Sequence, residues 1–136
     1  MKTWKSLVLA AAFLSPALAL EAQQVPLKEN EVVRNGFYAI GLADEIRKNC
    51  PDISPRLIRA YSMLKSLESY ARENGYSEAD VKALEDDDAA KDALRAEIRS
   101  DLAARGVTDG SSAGYCQVGR EEIARNTPAG RLLRGN

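Results

Sequence analysis

From residue 30 onward, apolar side chains recur at steps of three and four, the spacing that lines one face of an α-helix. Val33, Phe37, Ile40, Ala43, Ile46 and Cys50 form the first such stripe. Asn30 can cap its start and Pro51 stops it, so a helix from Asn30 to Cys50 is expected. Gly36 and Gly41 lower its intrinsic propensity by about 1 kcal/mol each relative to Ala. They are expected to let neighbouring helices approach closely.

The pattern then repeats. Ser54-Pro55 reads as a cap followed by a proline at the first helical position, opening a second stripe of Leu57, Ala60/Tyr61, Leu64, Leu67 and Ala71. Asn74-Gly75 supplies its left-handed stop. Ser77 caps a third helix with acids in its first turn. Its inward residues Val81 and Leu84 fall out of phase with Leu94, Ile98 and Leu102, which predicts a kink or a recapped break at Asp87 or Asp88. Residues 107–114 are the most loop-like stretch. A last helix carries Tyr115, Cys116, Gly119 and Ile123, and Thr127-Pro128 opens a short helical turn through Leu132-Leu133. No segment alternates with period two for long enough to predict a strand. The expected fold is all-α, a single-domain bundle of four or five helices over residues 30–136.

The residues before this pattern read differently. Lys2 and Lys5 precede the apolar run Leu7–Leu14, Ser15-Pro16 breaks it, and Ala17-Leu18-Ala19 offers the small residues of a cleavage site. A secretory signal over residues 1–19, cleaved after Ala19, is expected, with residues 20–29 as a flexible arm. A span needs roughly 20 apolar residues, so neither this run nor any later one is expected to cross a membrane. The product is expected to be periplasmic or secreted.

Export changes the meaning of the only two cysteines. In an oxidising compartment Cys50 and Cys116 are expected to form one disulfide joining the first helix to the last. Without Lys2 and Lys5 the 19 basic residues fall to 17 against 20 acids, a net charge of −3. That balance is too mild to imply nucleic acid or an anionic membrane as partner.

The sequence contains no histidine, which removes the commonest general base and metal ligand. No catalytic residue, cofactor site or metal site is expected. The run Glu85-Asp86-Asp87-Asp88 lacks the alternating ligands and turn glycine of a calcium loop and reads as a helix face or cap. A glycosidase-type pair of Glu121 or Glu122 with Glu97 or Asp101 would need two carboxylates facing each other across a cleft. The C-terminal stretch places Arg120, Arg125, Arg131 and Arg134 among apolar residues. Two readings stand: Leu132-Leu133 packs on the core while the arginines pair with local acids, or the arginines form an anion-binding or partner-docking surface.

The elements Gly41-Leu42-Ala43-Asp44-Glu45-Ile46-Arg47-x-x-Cys50, Cys116-x-x-Gly119-Arg120-x-Glu122-Ile123-Ala124 and Gly130-Arg131-Leu132-Leu133-Arg134 resemble a family of small exported proteins. That family, from alphaproteobacteria related to Rhodobacter, is known only as a domain of unknown function. The resemblance implies a periplasmic location, supports the bridge and supplies no catalytic residue. The expected role is non-enzymatic, in interaction with an unidentified protein partner or in envelope maintenance. A stress or acid-type holdase is the alternative, and a carboxylate-based hydrolase acting on cell-wall sugar a further one.

Overall fold

The structure is a computed structural model that describes residues 24–136. The expected signal segment and its expected cleavage site lie outside the described residues. Five helices follow in order: α1 (Glu31–Asn49), α2 (Leu57–Glu73), α3 (Glu78–Glu85), α4 (Asp88–Ala104) and α5 (Ser112–Ala124). Two three-residue strands, β1 (Ile53–Pro55) and β2 (Leu133–Gly135), pair antiparallel with Ser54 opposite Arg134.

Helix α1 is the axis. Asn30 caps it by accepting from the amides of Val32 and Val33, and it packs against α2, α4 and α5 in turn. Three neighbours need more than one stripe, so Ala39 and Leu42 are buried alongside Val33, Ala43 and Ile46, while Phe37 and Ile40 are only half-buried. Gly36 is where α2 closes in, since a Cβ there would lie 2.5 Å from a Leu67 methyl. Gly41 does the same for α4, against Ile98.

The bridge ties this axis to α5. Cys50, the residue that ends α1, is bonded to Cys116 with the Cα atoms 5.0 Å apart, and both are buried. One turn further along α5, Gly119 leaves room for Ile46 and Ile53. The expected all-α bundle stapled by one disulfide is the fold observed.

Four local expectations are corrected. Ser54 and Pro55 do not start α2. They are held in β1, whose ladder continues as the Arg56 amide donates to the Leu132 carbonyl at 2.7 Å, so α2 begins at Leu57 without a side-chain cap. The period-two rule missed this ladder because a three-residue strand is too short to show a period. The terminal helical turn ends at Leu132, after which Leu133 enters β2. Residues 24–29 are not a loose arm: Tyr76 donates to the Val25 carbonyl, Leu27 is buried, and a 3-10 turn covers Leu27–Glu29. Helix α5 starts inside the expected loop, because Ser111 accepts from the Gly114 amide.

The expected interruption near Asp87 is a full break. Asp87 caps α4 through the Ala90 amide, and Ser77 and Asp80 form a reciprocal capping box at the start of α3. Helices α2, α4 and α5 end on the same device, a left-handed residue at Gly75, Gly106 or Asn126. In each, the following amide returns to a carbonyl one turn back: Tyr76 to Ala71, Val107 to Leu102, and Thr127 to Glu122.

Candidate functional site

Helix α2 carries more apolar surface than the bundle covers. Leu67 and Ala71 are buried, but Leu57, Ile58, Tyr61 and Leu64 are 70, 84, 62 and 40% exposed. At about 100° per residue the second stripe is a broad arc rather than a line. Its Leu67 and Ala71 edge meets α1, while the Leu57, Tyr61 and Leu64 edge, with Ile58 beyond it, turns outward. The stripe expected to be core is therefore half core and half surface.

Below that outward edge, α1 is left open between α2 and α4. Three apolar clefts of about 420, 380 and 380 Å³ lie along it, and all three are lined by Phe37. Leu84 and Leu94 wall the first, Tyr61 and Leu64 the second, Ile40 and Leu57 the third. Phe37 is thus half-buried because no helix among the described residues covers it.

The N-terminal end of α2 meets the C-terminal strand, and arginines gather there. Arg56 donates from Nε to the Leu133 carbonyl at 3.0 Å, and Arg59 from Nη1 to the Arg131 carbonyl at 3.4 Å. Arg134 sits opposite Ser54 in the ladder. Residues 53–67 contain no acid, and neither do residues 123–136. The fold brings these two acid-free stretches together. Among the described residues, Arg56, Arg59, Arg131 and Arg134 make no salt bridge to any carboxylate. Asp52, one residue before β1, is the acid next along the chain.

The four arginines singled out in the sequence are therefore divided. Arg131 and Arg134 fall in this patch beside Arg56 and Arg59, which sequence reasoning missed. Its signal was there as the missing acids of residues 53–67. Arg120 and Arg125 lie on and just beyond α5, again outside any salt bridge among the described residues. Leu132 and Leu133 do pack on the core. The local acids Glu121 and Glu122 are taken instead by Arg105, at 3.2 and 2.6 Å.

The carboxylates have separate duties. Glu122 is buried and accepts from both Arg105 and the Thr127 hydroxyl. Glu121 is held below its usual pKa by hydrogen bonds from Arg105 and Gln117. Glu97 pairs with Arg34 and lines the cleft walled by Leu84 and Leu94, while Asp101 accepts from the Tyr38 hydroxyl at 2.6 Å. Burial, with Asp101 beside it, pushes the Tyr38 hydroxyl well above the usual phenol range. In the acid run, Asp86 pairs with Lys82, Asp87 caps α4 and Asp88 pairs with Lys91. Cys50, Asp52 and Cys116 are close enough to surround a metal ion, but the two sulfurs are bonded to each other and cannot ligate as thiolates. No helix among the described residues is long and apolar enough to cross a membrane.

No curated protein and no solved structure matches the chain. Residues 25–134, nearly all of the described fold, match a family of unknown function (DUF5333). The match spans the disulfide, the open side of α1 and the arginine patch alike, and the chain belongs to that family.

Proposed function

We propose that this is a non-enzymatic protein of the periplasm that works by presenting one surface, the N-terminal part of α2 with its arginines, to another envelope component. The observation that carries this reading is the exposure of Leu57, Ile58 and Tyr61 beside four guanidinium groups that lack a carboxylate partner among the described residues. A soluble domain normally buries or disperses such side chains, and a contiguous apolar patch marks a contact surface. The chemistry of the occupant is therefore apolar in part and anionic in part. The absence of histidine and the engagement of Glu121, Glu122, Glu97 and Asp101 by separate partners support a role without catalysis.

The test is site-specific photocrosslinking in cells, with the reactive side chain placed at Ile58 or, as a control, at exposed Asp92 on α4. Adducts at position 58 and none at position 92 are expected. Equal labelling at both, or none at either, refutes the reading. Amino-terminal sequencing of the exported protein should begin at Leu20; a chain retained in the cytoplasm would remove the periplasmic assignment.

A second reading, an acid-type holdase, is favoured by ion pairs that join separate elements: Arg34–Glu97, Arg99–Glu45, and Arg105 with Glu121 and Glu122. Protonation would release them and open the apolar clefts along α1. Dye binding and aggregation suppression, followed from neutral pH to about pH 3, must both rise; no change in either sinks it.

A further inference from the structure

We infer that the partner of this surface is the headgroup region of an anionic phospholipid bilayer, an inference that rests on the contact-surface reading above and names its occupant. Three observations select a bilayer over a protein. Ile58, in the first turn of α2, lines none of the three clefts and is 84% exposed, and its neighbour Leu57, 70% exposed, stands at the rim of one of them. Side chains standing out at a helix end suit insertion at the boundary between headgroups and acyl chains, where Tyr61, apolar in body and polar at its tip, also belongs.

The second observation is charge. Arg56 and Arg59 flank Leu57 and Ile58 in the chain, and Arg131 and Arg134 are brought beside them by β2 and the turn before it. Guanidinium forks match phosphate oxygens. The third is the contrast with the rest of the surface. Among the described residues, the lysines and arginines elsewhere are matched to acids, as Lys82, Lys91 and Arg95 on α3 and α4 are to acids three or four residues away, with Arg120 and Arg125 at α5 the exceptions. Excess positive charge is thus concentrated where the apolar side chains protrude, in a chain whose exported form is net acidic. That asymmetry orients the protein, with the basic, apolar end facing the bilayer and the acidic remainder facing away.

Each arginine near an anionic leaflet strengthens partitioning by about five-fold at moderate salt, and the attraction fades beyond a screening length of about 8–10 Å. The experiment is flotation of the purified exported chain with vesicles of phosphatidylcholine alone, or with about one part in three of phosphatidylglycerol. Flotation with the anionic vesicles only, weakening as salt is raised, is expected. Arg131→Gln/Arg134→Gln should lower partitioning by about 25-fold, at roughly five-fold per charge, and Ile58→Ser should lower it without altering the circular dichroism spectrum. Arg95→Gln, an ion-paired arginine on α4, should float like the parent.

Equal flotation with neutral vesicles, or flotation untouched by the arginine and Ile58 substitutions, overturns the inference. Absence of flotation also overturns it. If position 58 still crosslinks in cells, the contact surface stands and its occupant is an acidic protein segment instead. If position 58 is silent and flotation fails, both fall.

Discussion

Reducing the Cys50–Cys116 bridge tests how much of the stability belongs to the staple. The bridge closes a loop of 66 residues, and in the chain-entropy model this removes about 15 cal/mol/K from the unfolded state, or about 4 kcal/mol at 25 °C. Unfolding entropy runs at about 2 cal/mol/K per residue near 60 °C, so roughly 110 folded residues give about 0.23 kcal/mol/K. The predicted fall in Tm is therefore about 18 °C. Oxidised and reduced wild-type protein should be compared by thermal circular dichroism, because the two states share every side chain. Both sulfurs are buried between α1 and α5, so reduction has to be carried out in denaturant and reductant kept through refolding. A fall below about 5 °C would refute the loop-entropy reasoning. It would mean that the α1–α5 contact around Ile46, Ile53 and Gly119 already restricts the unfolded chain.

Four further outcomes follow from particular residues. Gly130→Ala should destabilise by about 3 kcal/mol in urea titration, because its Cβ would overlap the Glu122 carbonyl and the Ile123 amide, neither a movable side-chain end. Gly110→Ala, with open space around it but φ at +77°, should cost only about 1 kcal/mol, the strain of a left-handed alanine. Arg105→Ala should cost about 3 kcal/mol by leaving Glu122 buried and unpaired; adding Glu122→Gln should restore part of the loss, and failure to do so would contradict the pairing. Stability should hold from neutral pH down to the ordinary carboxylate range near pH 4 and fall below it. Burial raises the Asp44 carboxyl, but hydrogen bonds from Lys48 and Arg47 outweigh it and hold the pKa down, while the Ala90 amide lowers Asp87. Groups with depressed folded pKa values contribute above their unfolded pKa and lose that contribution as they protonate, so urea midpoints that stay flat from pH 5 to about pH 2 would contradict this.

Local signals proved reliable wherever a few consecutive residues decide the outcome. Asn30, Ser77, Asp87 and Gly75 each cap or stop a helix by satisfying backbone groups within one turn, and those bonds need no distant partner. The phase slip between Leu84 and Leu94 foretold the break at Asp87 for the same reason. Pairing of the two cysteines was legible because there are only two. Gly36 and Gly41 announced close approaches without saying to what.

Long-range geometry decided the rest. Ser54-Pro55 has the composition of a helix start, yet hydrogen bonds to residues some 80 positions away hold it as a strand. An apolar stripe records which side of a helix avoids water in isolation, not whether a neighbour arrives to cover it. Leu67 meets Gly36, whereas Leu57 and Tyr61 meet nothing comparable among the described residues, because α4 packs on another side of α1. Charge behaves in the same way. Arg56 and Arg59 drew no notice in an α2 that looked like core, and Arg131 and Arg134 looked paired to acids that Arg105 had taken. Only the β1–β2 ladder, joining two acid-free stretches that are remote in the chain, makes them one surface.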